Sequence, residues 1–174
     1  MGIVTLTDAA EMLNARARAE GWPFECDSKL NFDRRELTLL RDVWRSQAAK
    51  VGLPSRNDLA AHALKSVLRH LSILDQVRDP KKGTRYRVLH VGSSIAAVMG
   101  EKTGSFIDES VPAELLPRWT ALFDTIVETR TPLRTRFEIE QLDYASGEAF
   151  LAPLSSEARE ANILMSCLYL KPRE

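Results

Sequence analysis

His62, His70 and His90 are the only imidazoles in this chain of 174 residues, and imidazole is the side chain best placed to move protons or bind metals near neutral pH. None is followed by a second ligand three or four residues on, so the spacing of a helical metal site is missing. Cys26 and Cys167 are the only thiols and lie far apart, without metal-type spacing. Gly92-Ser93-Ser94 follows a strand-like run and opens a helical one, but a nucleophile elbow would need glycine where Ala96 stands. Asp75, Asp79 and Glu101 could share a site only if the fold converged them. Arg78, Lys81, Lys82, Arg85 and Arg87 form a basic run whose plainest reading is a solvated turn and whose functional reading is an anion patch. No nucleophile, base or metal set emerges, so no catalytic residue and no metal site are predicted.

The elements that would position these groups follow from periodicity and stop signals. Asp8 and Glu11, then Asp33 and Glu36, have capping-box spacing before two helices. The first helix has a weak stripe of Ala9, Met12, Leu13 and Ala17 and stops near Gly21 and Pro23. The second has a stronger stripe of Leu37, Leu40, Trp44, Ala48 and Val51, ending at Gly52 and Pro54. A third helix spans about 58–69. Two alternating strands then flank a short Pro/Lys/Lys/Gly turn, which requires an antiparallel hairpin. A short helix from Ser93 to Met99 follows, then a longer one over about 113–129 with Pro117 in its first turn. Strands are predicted over 133–141, 148–154 and 162–170. Leu133, Thr135, Phe137 and Ile139 share one face of the first of these, leaving Arg134, Arg136 and Glu138 on a face expected to be wet.

Composition narrows the partners. Lys plus Arg and Asp plus Glu balance at 24 each, so no global field draws nucleic acid or an anionic membrane, and neither is expected as a partner. No apolar run reaches the length of a membrane span, the start has no secretory pattern, and two unpaired-looking cysteines fit a reducing cytoplasm.

Several short pieces occur in a telling order: Trp44-Arg45, Leu53-Pro54-Ser55-Arg56 with Asp58-Leu59, and His70 to Asp75. Arg85-Tyr86-Arg87-Val88 with Gly92 and Ile95 comes next, then Thr103-Gly104, Val127-Glu128-Thr129 with Pro132-Leu133, and Leu151-Ala152-Pro153-Leu154. On these pieces the segment 37–154 resembles a group of small stand-alone bacterial PAS-domain proteins, long catalogued as a domain of unknown function. The resemblance implies an α+β fold: a five-stranded antiparallel sheet in the order 2-1-5-4-3, flanked by helices. Residues 1–35 would form an N-terminal helical extension and 36–174 the PAS domain with its leading helices.

PAS domains hold small ligands between sheet and helices, or associate through sheet and N-terminal helices. The resemblance therefore makes Tyr86, Ile95, Met99, Phe106, Trp119, Phe123, Phe137, Met165 and Cys167 the candidate lining of a largely apolar cavity. No cofactor is expected. Haem is set aside because 113–129 has no histidine, and flavin because neither cysteine lies in the Asn-Cys-Arg setting of light-oxygen-voltage modules. The reading is a non-enzymatic, cytoplasmic sensory module that forms a homodimer and signals to a partner protein, with Met12, Leu13, Leu37, Leu40 and Trp44 at the dimer interface. A receptor for a small apolar molecule is the alternative.

Overall fold

The computed structural model describes residues 6–138 and 144–172. Helix α1 (Leu6–Glu20) leads into a short strand β1 (Phe24–Asp27), and α2 (Arg35–Val51) and α3 (Ala61–Val67) follow. The hairpin β2 (Leu71–Asp79) and β3 (Gly83–Val91) precedes α4 (Ser93–Met99), α5 (Ile107–Ser110) and α6 (Leu116–Thr129). Strands β4 (Leu133–Glu138), β5 (Tyr144–Leu154) and β6 (Ile163–Pro172) complete the chain. All pairings are antiparallel and the order is β1-β4-β5-β6-β2-β3. Numbered without β1, that order is 2-1-5-4-3, as the resemblance implies.

β1 is the addition that sequence reasoning does not supply. Residues 24–27 fall in the stretch expected to be a helical extension, yet they pair with β4 in register, Glu25 opposite Arg136 and Asp27 opposite Arg134. Four residues carry too little period-2 signal to register as a strand. The expected end of β4 at Gln141 lies outside the described residues.

Each face of the sheet has its own core. On one, α1, α4, α5 and α6 enclose Leu13, Leu74, Tyr86, Val88, Ile95, Leu122, Phe123, Ile126, Leu133 and Leu151. On the other, α2 and α3 cover Leu37, Leu40, Trp44, Val67, Leu71, Phe150, Leu154, Met165 and Cys167. The central strands β5 and β6 are therefore largely buried on both sides, like the strands of a parallel sheet rather than those of a half-wet antiparallel one.

Two local details depart from expectation. Helix α2 starts after Arg34 with no side-chain cap; Asp33, the expected cap, instead pairs with Arg134 at 3.1 Å. Gly92 packs its Cα against the turn before β2. A Cβ there would overlap the Arg69 carbonyl and lie 2.5 Å from the Leu68 oxygen, so close approach, not a special φ, demands glycine.

Candidate functional site

The aromatic residues expected to line a cavity divide between the two faces. Tyr86 and Ile95 are buried with Phe123 under α4 and α6, and Trp119 packs beside them. The Tyr86 and Phe123 rings meet edge to face at 5.3 Å, and Trp119 lies 5.8 Å from Phe123. Phe137 packs at the margin of the same core, its ring over Gly147 on the neighbouring strand. Phe106 sits apart beneath the Arg85 guanidinium at 3.8 Å, and Met99 is largely exposed. Met165 and Cys167 are buried in the opposite core, against α2 and α3. They cannot share a space with Trp119 and Phe123, because the sheet lies between. β6 is apolar on both faces, so its sequence does not reveal which alternate set faces which helices.

The Tyr86 hydroxyl on the α6 side is already engaged. It donates to Asp124 at 2.5 Å and accepts from Gln76 at 3.1 Å. Burial, then the Asp124 carboxylate, pushes the Tyr86 pKa far above its ordinary value, so it remains a donor. Gln76 stands opposite Tyr86 in the hairpin register, a pairing readable once the turn is fixed. Asp124 follows Phe123 on α6 and had no sequence signal.

Within the basic run, Arg85 and Arg87 are engaged in internal ion pairs. Arg85, with its side chain 8% exposed, bonds Asp108 through Nε (2.8 Å) and Nη2 (2.9 Å), and Glu109 at 2.6 Å. It thereby fastens α5 to the hairpin. Arg87 pairs with Asp75 at 2.5 Å. Asp79 accepts the Lys81 and Lys82 amides, and Glu101 binds Thr103, so the three candidate carboxylates do not converge. No metal-binding group of His, Cys, Asp and Glu forms among the described residues. Both thiols are buried, and burial pushes each pKa up to about 12, which leaves them protonated and poorly nucleophilic at neutral pH.

The face expected to be wet carries a second polar centre. Arg134, its side chain 8% exposed, bonds Glu148 on β5 through Nε (2.9 Å) and Nη2 (2.5 Å). Glu148 also accepts the amides of Asp33 and Arg34 at 3.0 and 3.1 Å. Burial works against the Arg134 charge, but Glu148, Asp33 and Asp27 together outweigh it and raise its pKa. This latch fixes the entry to α2 on the sheet. Beside it Tyr169 stacks on His70 at 3.9 Å and lies under Arg34 at 4.8 Å. An open groove of about 630 Å³ runs here, lined by Trp22, Phe24, Arg34, Arg136, Phe137 and Tyr169 among others. Of the expected cavity residues it takes only Phe137.

The expected dimer residues are mostly occupied within the protomer. Leu37, Leu40 and Trp44 pack onto the sheet, the Trp44 indole donating to the Pro153 carbonyl at 3.1 Å. Leu13 is buried against the other face, and only Met12 is exposed. An amphipathic stripe announces burial but not the surface that provides it.

No protein-family model and no curated protein sequence matches the chain. Solved structures of similar fold do. One is a light-oxygen-voltage domain studied with a flavin analogue, 11% identical over 63% of this chain and 82% of that one, TM-score 0.39. An RNA-binding light-oxygen-voltage receptor is 15% identical over 69% of this chain and 36% of its own length, TM-score 0.39. A sensory box histidine kinase/response regulator from Burkholderia thailandensis is 17% identical over 63% and 81%, TM-score 0.32. The 2-1-5-4-3 strand order, with helices on the crossing from strand 2 to strand 3, is the arrangement of the PAS fold. The chain has a PAS-domain fold.

That likeness is to the PAS fold at large, since no model of the narrower bacterial group matches. The expectation of no cofactor, with flavin set aside, is corrected by these structures: light-oxygen-voltage domains are among them, and one is described with a flavin analogue. A missing thiol setting bears on chemistry at a cysteine and gives no ground for excluding a cofactor from a PAS fold. Between the sheet and α6 of this PAS domain, Tyr86, Ile95, Leu122 and Phe123 fill the space, so a flavin there requires those side chains to move. No helix among the described residues is long and apolar enough to cross a membrane.

Proposed function

We propose that this PAS domain is a non-enzymatic sensory module of the cytoplasm that forms homodimers and relays its signal to a partner protein through α2. The observation that carries the reading is the clamping of α2. This helix of 17 residues is pinned to the sheet at one end by the Arg134–Glu148 latch and in its middle by Trp44 on Pro153. A shift in β4 or β5 must therefore move α2 with it. Leu39, on the side away from Leu37 and Trp44, and Val51, the last residue of the helix, are both more than half exposed and are the large apolar groups left for a partner on this helix.

Native mass spectrometry tests the proposal by reporting protomer count and retained small molecules together. The wild type is expected as a dimer and Leu39→Glu as a monomer. A wild type that stays monomeric at every concentration sinks the dimer reading. The second reading, a small-molecule receptor, is favoured by the groove of about 630 Å³, a volume within the usual range for ligand sites. It places the ligand beside Tyr169 and Arg34 rather than among Tyr86 and Phe123.

A further inference from the structure

The free edge of β1 is closed in an unusual way. Cys26 turns both main-chain groups away from β4, and the Asn14 side-chain amide takes both: Asn14 Oδ1 accepts the Cys26 N–H at 2.8 Å, and Asn14 Nδ2 donates to the Cys26 carbonyl at 2.8 Å. One amide side chain thus stands in for the peptide unit of a further strand. An edge without such a cover is a template for pairing with another chain. Helix α1, which supplies Asn14, buries mainly small groups, Ala9, Ala10, Leu13 and Ala17, while Met12 is 70% exposed. It packs on β1 and α6 through these small groups rather than through large ones, and an isolated helix of 15 residues is marginal in water.

We propose that α1 is a displaceable strap, and that the β1 edge beneath it docks an extended segment of a partner protein carrying cationic residues at alternate positions. The chemistry of that segment is set by β1 itself. Glu25 and Asp27 point to one face, and the strand that β1 already pairs with meets them with Arg136 and Arg134. A strand added on the free side meets the same two carboxylates, and like charges directly opposite are destabilising. A second copy of β1 paired antiparallel about Cys26 would set Glu25 against Asp27, so the edge selects against its own twin. The inference rests on the relay reading for its biological meaning, giving that relay a partner-facing strand. Its test does not depend on the protomer count.

The probe is a blocked hexapeptide with the sequence of β4, Leu133 to Glu138, whose arginines already fit this pattern. Asn14→Ala leaves α1 intact and removes only the cover. It should bind the peptide about tenfold more tightly than the wild type, the worth of one or two hydrogen bonds. The same peptide with both arginines replaced by glutamate should not bind. Equal binding of the two peptides, or no gain in a folded Asn14→Ala protein, overturns the proposal. Hydrogen exchange on the wild type tests the strap without any substitution. The Cys26 amide should exchange through a local opening while the Phe150 amide in β5 stays protected. Exchange of both only on global unfolding also overturns it.

Discussion

Replacing Trp44 separates a core residue from an interface residue, because the two make opposite demands on concentration. Its side chain is 8% exposed within one protomer, packed in the core that contains Leu37, Leu40 and Leu154, with the indole N–H on the Pro153 carbonyl. Trp44→Ala should therefore cost about 3–5 kcal/mol, as truncations of large buried aromatics do. Trp44→Phe keeps most of the apolar volume and loses the hydrogen bond, leaving a buried acceptor unmade at about 1–3 kcal/mol. For a chain of this size the alanine variant should melt roughly 6–20 °C lower. Urea unfolding at two protein concentrations about tenfold apart measures both losses by linear extrapolation. Because the contacts are intramolecular, the difference between variant and wild type should be the same at both concentrations. An alanine loss below about 1 kcal/mol, or one that changes with concentration, would show that Trp44 does not face its own sheet.

Three further outcomes follow from the same structure. Arg134→Met removes one partner of a buried pair and should cost about 3 kcal/mol, near the low end for such pairs because Glu148 keeps two amide donors. A double-mutant cycle with Glu148→Gln should return a coupling above about 1 kcal/mol, and additive losses would deny the latch. Gly92→Ala meets backbone carbonyls that cannot rotate aside, and should cost about 1–3 kcal/mol by overpacking; an unchanged urea midpoint refutes this. Burial, the largest influence, lowers the His70 pKa in the folded protein below 6.5. The unfolded chain then binds the proton more readily, so stability is full above about pH 6.5 and falls as pH drops towards the folded pKa. His70→Gln should flatten that limb of a urea-midpoint profile, and a profile unchanged by the substitution assigns the limb to other groups.

The elements legible in the sequence were those with a clean period or a sharp stop. The stripe of α2 ending at Gly52, the hairpin about Lys81 and Lys82, and Pro117 in the first turn of α6 all lie where expected. β1 was not legible, because a strand of Phe24, Glu25, Cys26 and Asp27 owes its existence to β4 alongside it. Nor was the burial of Arg134. Alternation along β4 correctly puts Arg134 and Arg136 on the face opposite Leu133, but only the chain entering α2 decides that Arg134 is covered while Arg136 stays exposed.

The candidate site failed for a related reason, and the failure limits what an apolar list can mean in such a fold. With helices on both faces, β6 alternates between two cores: Leu164 and Leu168 under α6, Met165, Cys167 and Tyr169 under α2. Apolar residues fall on both alternate sets of such a strand, so hydrophobicity names the strand and is silent about the face. Polar residues carry the missing information because each demands a specific partner. Tyr86 must find Gln76 and Asp124, and Glu148 must find Arg134 and the amides before α2. The first pairing fixes the face that packs against α6, the second the face that holds α2. Asn14 does the same for the sheet edge, where a single amide on a weak helix meets both free groups of Cys26. In this fold such polar contacts therefore mark which surfaces are committed, and at the edge of β1 that contact is the Asn14 amide.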